Sequence, residues 1–129
     1  MTPQRILIAC LACAATALLP ATALAKGGDG VRVSGSCTTS STAKLKIKAD
    51  DSRIETEFEV DQNRNGVRWT VTLRRNGALA VWTKATTRAP SGSFSVNRRL
   101  ANGSGADTVT ARAVSPSGEV CTARARLSS

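Results

Sequence analysis

Residues 66–87 read GVRWTVTLRRNGALAVWTKATT and contain two alternating runs separated by Asn76-Gly77. Apolar and polar side chains take turns on both sides of this dipeptide, as they do in β-strands that bury one face. Asn and Gly tolerate a positive φ, which a type I′ turn requires at both of its central residues. The stretch therefore predicts a β-hairpin. Its buried face is expected to carry Val67, Trp69, Val71, Leu73, Ala80 and Trp82.

The same alternation continues through most of the chain after residue 30, and turn residues interrupt it at short intervals. No segment places apolar residues at helical spacing over three turns. These features are typical of an all-β, antiparallel two-sheet sandwich, here with seven to eight strands. Besides the hairpin, strands are expected at residues 31–37, 43–49, 53–60, 93–100, 107–114 and 119–127.

The hairpin that follows the leading strand has opposite charges on its outer face. With a turn at residues 50–51, Ile47 lies opposite Ile54 on one face, and Lys46 lies opposite Glu55 on the other. Each opposite-charge pair stabilises a sheet by about 0.2–1 kcal/mol. A slip of one residue would bring lysines to the buried face, so the alternation specifies which side chains point inward.

The last hairpin turns at residues 115–118, SPSG. Proline in second place and glycine in fourth suit a type I turn with a glycine bulge. That turn sets Ala113 opposite Cys121 and Val109 opposite Ala125, all facing inward, and leaves threonines and arginines on the outer face.

The first 25 residues have the pattern of a secretory signal peptide. A positive start at Arg5 precedes an apolar run and the small-residue cleavage site at residues 23–25. Residues 7–10, LIAC, resemble a lipoprotein box and leave acylation of the cysteine as the alternative. Cleavage after residue 25 leaves a flexible N-terminus at residues 26–30 and one domain at residues 31–129, which predicts an extracellular, secreted protein.

Two of the four cysteines, Cys37 and Cys121, remain after removal of the leader. In an exported chain, two cysteines most simply form one disulfide, and two unpaired thiols are the alternative. The bond would close nearly the whole domain. On the loop-entropy model such a link stabilises the fold by about 4 kcal/mol.

The composition argues against an enzyme. The chain has no histidine, and its cysteines are assigned to a disulfide, so the usual general bases and nucleophiles are missing. Glu55, Glu57 and Glu59 alternate along one strand with lysines opposite them, which is typical of a solvated face. We expect no catalytic residue, no cofactor and no zinc or iron site.

Residues 61–66, DQNRNG, resemble the front half of a calcium loop. Asp61, Asn63, Asn65 and Gly66 match its first ligand positions and its glycine, whereas the last position, which needs glutamate, holds Thr72. Asn and Gly also serve in turns because they adopt left-handed conformations. We therefore interpret the loop as a turn between the sheets, with a weak calcium site as the alternative.

Seven strands preceded by a leading strand resemble the immunoglobulin and fibronectin type III sandwiches. The likeness covers residues 44–127 and places Trp69 on the third strand, where immunoglobulin domains have their core tryptophan. The chain departs from antibody domains because it has no tyrosine and its cysteines join the leading and last strands. The segments VSGSC, FEVDQNRNGVRW and SPSGEVC also resemble segments of a group of small exported actinobacterial proteins without assigned function. This resemblance implies no particular activity.

A fibronectin-like placement of the strands brings the excess positive charge to one face. Threonines lie between the arginines expected there, which are Arg68, Arg74, Arg112, Arg124 and Arg126. Guanidinium groups bind carboxylate and phosphate, so this face predicts docking on an anionic wall polymer, lipid head groups or an acidic protein, with association to the cell envelope. The competing interpretation is a solvated face that prevents aggregation.

Two further expectations concern partners. Most of the four aromatic residues are expected in the core, which leaves no stacking platform for nucleic acid. We expect a monomer without a transmembrane segment. An alternative function is inhibition of extracellular proteases, with Arg88–Ser91 presented as an exposed loop.

Overall fold

The computed structural model describes residues 30–128, which form nine β-strands and no helix. The predicted signal peptide and most of the predicted flexible N-terminus lie outside these residues. The strands are β1 (Val31–Ser34), β2 (Ser36–Cys37), β3 (Thr42–Asp50), β4 (Arg53–Asp61), β5 (Arg68–Arg75), β6 (Ala78–Thr86), β7 (Ser93–Ala101), β8 (Asp107–Val114) and β9 (Val120–Leu127).

The strands form two antiparallel sheets that pack as a sandwich, which confirms the predicted fold class. The four-stranded sheet has the order β1-β3-β4-β7, and the five-stranded sheet has the order β2-β9-β8-β5-β6. The strand count is nine because the leading strand divides at Gly35 and contributes one piece to each sheet. A Cβ atom at Gly35 would overlap the carbonyl oxygen of Thr122, so the crossing between the sheets requires glycine.

Cys37 and Cys121 lie directly opposite each other on β2 and β9, and they form the predicted disulfide. Their Cα atoms are 4.1 Å apart. The β8–β9 hairpin has the predicted register, with Ala113 opposite Cys121 and Val109 opposite Ala125. The bond thus fastens the short edge strand β2 to the last strand of the chain.

The core lies between the sheets and is centred on Trp69 of β5, which is fully buried as predicted. Its ring centroid is 6.0 Å from that of Phe94, and its Nε1 donates a hydrogen bond to Gln62 Oε1 at 3.1 Å. The small side chains Ala111 and Ala113 of β8, the neighbouring strand of the same sheet, also point into the core. Alternation in β5, β8 and β9 therefore places one side of the sheet wholly in the core.

The register of the β3–β4 hairpin differs from the prediction by two residues. Asp50 pairs with Arg53 across a turn at residues 51–52, where Asp51 adopts a φ of 51°. Lys46 therefore lies opposite Glu57 and not opposite Glu55. A shift of two residues keeps every side chain on its predicted face, so the burial prediction holds although the partners change.

The prediction that Ala80 and Trp82 enter the core is wrong. The β5–β6 hairpin turns at Asn76-Gly77 with positive φ at both residues, as predicted. A bulge then leaves Ala80 without a partner, and Leu73 pairs with Val81. One extra residue reverses the alternation that follows, so Trp82 faces solvent with 61% of its surface exposed.

Candidate docking face

The outer face of the five-stranded sheet carries all five arginines singled out in the sequence. Their side chains are exposed, and threonines of the same strands separate them. We call this surface the Arg/Thr face. Its members are Arg68, Thr70, Thr72 and Arg74 on β5, Thr108, Thr110 and Arg112 on β8, and Thr122, Arg124 and Arg126 on β9.

Each arginine of the face lies directly opposite at least one threonine. Arg112 lies between Thr72 and Thr122, and Thr110 lies between Arg74 and Arg124. The remaining pairs are Arg126 with Thr108 and Arg68 with Thr86 of β6. Like charges directly opposite each other destabilise a sheet, so the threonines space the guanidinium groups while offering hydroxyl groups between them.

No carboxylate lies on this face within residues 30–128. Within these residues, the five-stranded sheet and its turns contain two acids, Asp107 and Glu119, and both are buried. Asp107 binds Arg75 Nε at 2.9 Å and Asn76 Nδ2 at 3.0 Å. Glu119 accepts hydrogen bonds from the hydroxyls of Thr39 and Ser41. Both carboxylates are thus satisfied by residues outside the Arg/Thr face.

The guanidinium groups of the face are not engaged in ion pairs with the described residues. The ion pairs among residues 30–128 are Arg75–Asp107, Arg99–Asp50 and Arg99–Glu55, and none of them involves an arginine of the face. Arg74 donates one hydrogen bond, from Nη1 to the carbonyl oxygen of Gly77 at 3.3 Å. The charges of the face therefore remain accessible to an external anion.

Strand β6 adds three exposed residues that sequence reasoning missed. Leu79 lies opposite Arg74, Trp82 opposite Thr72 and Lys84 opposite Thr70, so all three share the outer face. Leu79 and Trp82 are exposed over 54% and 61% of their surfaces. The bulge at Ala80 decides the placement of Trp82 and Lys84, and nothing in the alternating pattern revealed it, whereas Leu79 lies before the bulge.

The outer face of the four-stranded sheet has a different arrangement of charge. Lys44, Lys46 and Lys48 of β3 lie opposite Glu59, Glu57 and Glu55 of β4. Arg99 donates hydrogen bonds to Glu55 Oε1 at 3.1 Å and to Asp50 Oδ2 at 3.0 Å. The hydrogen bond from Arg99 lowers the pKa of the Glu55 carboxyl, and the charges of Arg99 and Lys48 act in the same direction.

Residues 61–66 form a tightly held connection between β4 and β5. Asp61 Oδ1 accepts the amide N–H of Asn63 at 2.9 Å, and Asn63 has a φ of 55°. A Cβ atom at Gly92 would overlap the backbone of Arg64, so the β6–β7 loop packs directly on this turn. Among residues 30–128 no cluster of three His, Cys, Asp or Glu side chains occurs that could hold a metal ion. The weak calcium site stays the untested alternative to a turn.

The Arg88–Ser91 segment is exposed and forms a closed turn. The carbonyl oxygen of Arg88 accepts the amide N–H of Gly92 at 2.9 Å, and the Arg88 N–H donates to Ser93 at 2.9 Å. A protease cleft binds an extended segment through its main-chain groups. Those of Arg88 are already occupied, so this geometry does not favour the inhibitor hypothesis.

The described residues define a disulfide-linked β-sandwich with one outer face of uniform positive charge. Comparison with protein-family models, curated proteins and solved structures gives no match to this chain. Residues 30–128 include no helix long and apolar enough to cross a membrane.

Proposed function

We propose that this protein is a secreted, non-catalytic module that docks on an anionic polymer of the cell wall through the Arg/Thr face. The observation that supports this proposal is that arginines and threonines lie opposite each other in rows across the outer sheet face, which has no carboxylate within residues 30–128. Guanidinium groups bind phosphate and carboxylate through planar forks, and threonine hydroxyls hydrogen-bond to sugar hydroxyls.

An extended polymer fits this surface better than a compact partner. Arg112 and Thr72 lie in one row across the sheet, and Arg74 and Thr110 lie in the next row. Such rows lie on a sheet face and not in a cleft, so they match a ligand that presents repeated charges along its length. Each contact with an exposed arginine contributes little alone, and several contacts made together give useful affinity through multivalency.

Co-sedimentation with purified cell walls rich in anionic glycopolymer tests the proposal. We expect binding at low salt that weakens steeply as salt rises, because exposed charges are screened. The triple variant Arg112→Ser, Arg124→Ser and Arg126→Ser should lose binding by about 100-fold, at about 1 kcal/mol for each arginine.

The matched control removes the same charge from the other sheet through Lys44→Ser, Lys46→Ser and Lys48→Ser. It should bind walls nearly as well as the parent protein. If both triple variants lose wall binding equally, binding depends only on net charge, and this contradicts a specific docking face. Binding to anionic lipid vesicles in preference to walls would assign the face to a membrane surface instead.

A further inference from the structure

Trp82 is a large apolar side chain that the bulge at Ala80 places in solvent, outside the hydrophobic core. It lies on the edge strand β6 with 61% of its surface exposed, while Trp69 of the neighbouring strand is fully buried. Burying an indole is strongly favourable, so an indole held in solvent on a charged face is a feature that a ligand can use. Leu79, exposed over 54% of its surface, lies on the other side of the bulge and opposite Arg74, outside the row of Trp82.

The indole lies beside the cations of the Arg/Thr face. Trp82 pairs with Thr72, and Thr72 pairs with Arg112, so indole and guanidinium occupy one row with a hydroxyl between them. Strands in a sheet are about 4.8 Å apart, which separates Trp82 from Arg112 by about 10 Å. Lys84 follows Trp82 on the same face of β6.

We propose that Trp82 is the sugar-stacking residue of this face, so that the polymer it docks on is an acidic polysaccharide. This inference rests on the proposed docking function. A sugar ring presents C–H groups on one face, and these pack on the electron-rich face of an indole. The carboxylate or phosphate groups of neighbouring sugars then reach Arg112 and Lys84, and Thr72 hydrogen-bonds to the hydroxyls between them.

Two other occupants fit the same surface less well. Single-stranded nucleic acid is bound by several aromatic side chains that stack successive bases, and the Arg/Thr face with its β6 border presents one indole. A second copy of the chain would bring one cationic face against another. Its pairing along β6 is also opposed by the bulge at Ala80 and by Lys84, both features that discourage edge-to-edge association.

The test compares two probes that differ in the sugar ring. Polygalacturonate carries carboxylates on sugars, whereas inorganic polyphosphate carries charge without any ring. Trp82→Ala should weaken binding of polygalacturonate about ten-fold and leave polyphosphate binding unchanged. Trp82→Phe should restore most of the loss, and Leu79→Ala, the matched apolar control, should change affinity by less than about two-fold.

Fluorescence gives a second measurement on the unmodified protein. Trp69 is fully buried, so quenching by acrylamide reports on Trp82. Saturation with polygalacturonate should protect the fluorescence from quenching, and polyphosphate should not.

The outcomes separate this inference from the docking function itself. If Trp82→Ala weakens binding of both probes equally, or weakens binding of neither, the role of Trp82 is overturned. The arginine variants still test docking in that case. Both proposals are supported if the Arg112, Arg124 and Arg126 variant loses binding and if Trp82→Ala, made in the otherwise unchanged protein, weakens binding of polygalacturonate alone. Tighter, Trp82-dependent binding of oligothymidylate would assign the indole to nucleic acid and overturn the polysaccharide.

Discussion

The outer faces of the two sheets are built from the same alternation but use charge in opposite ways. On the four-stranded sheet, Lys46 lies opposite Glu57, and Arg99 binds both Glu55 and Asp50. On the five-stranded sheet, arginines lie opposite threonines, and no carboxylate joins them within the described residues. Both faces include strands whose outward side chains are cationic, namely β3 on one sheet and β5, β8 and β9 on the other. The difference lies in the residue that faces each cation on the neighbouring strand.

This difference separates charges that serve the fold from charges that are left free. A cross-strand pair of opposite charges contributes about 0.2–1 kcal/mol to the sheet and thereby satisfies both partners. A threonine opposite an arginine keeps the strand propensity of a β-branched residue and leaves the guanidinium unpaired. The neighbour across the ladder, and not the number of cations, therefore identifies the face available to a partner.

The largest expected effect comes from giving the second face the charge pattern of the first. Thr72→Glu and Thr122→Glu place carboxylates on both sides of Arg112, and Thr110→Glu places one between Arg74 and Arg124. We expect binding to anionic walls to fall by about 100-fold or more, because three added charges each oppose the ligand by about 1 kcal/mol. Replacement of the same threonines by glutamine should leave binding within about three-fold of the parent. Undiminished binding in the glutamate variant would exclude this face as the docking surface.

A smaller effect is expected on stability, and it reverses the roles of the two faces. Lys44→Ser, Lys46→Ser and Lys48→Ser remove three cross-strand pairs and should lower the free energy of unfolding by about 1–2 kcal/mol. The Arg112, Arg124 and Arg126 triple variant should change it by less than about 0.5 kcal/mol, because no ion pair is lost. Urea unfolding measures both values. A larger loss in the arginine variant would show that its charges serve the fold.

The smallest expected effect is the pH dependence of Glu55. The hydrogen bond from Arg99 lowers the pKa of Glu55 in the folded state, so its contribution to stability is complete above the ordinary carboxyl pKa. That contribution disappears as pH falls through the lowered pKa. Glu55→Gln should therefore melt slightly below the parent at neutral pH, and the difference should vanish in strong acid. A difference that persists in acid would mean that packing, and not charge, is responsible.

The alternating sequence was sufficient for the fold class, and the two cysteines that remain after the leader were sufficient for the disulfide. Parity assigns each strand residue to a face, and it survives the two-residue shift of the β3–β4 hairpin because the period of a strand is two. The arginines of β5, β8 and β9 then meet once those strands share a sheet. That last step depended on the likeness to fibronectin-type strand placement and not on the residues alone.

Parity fails where a strand gains a residue or ends at an edge. The unpaired Ala80 reverses the alternation in β6, and this places Trp82 on the outer face of the sheet and not in the expected core. Arg98 has the parity of the buried residues Val96 and Leu100, yet it is exposed on the edge strand β7, where its Nη1 donates to the carbonyl oxygen of Asn97 at 2.8 Å. Neither a bulge nor an edge leaves a mark in the pattern of apolar residues.

The disulfide determines how this domain carries mechanical tension. Cys37 and Cys121 are separated by 84 positions in sequence, so a pull on residues 30 and 128 passes through the sulfur–sulfur bond and bypasses the chain between them. Only the seven residues before Cys37 and the seven after Cys121 can extend, by about 3.5 Å each. A domain held at its two ends would therefore yield only β1 and most of β9, while the ladders β3-β4-β7 and β6-β5-β8, which lie between the two cysteines in sequence, stay paired under load.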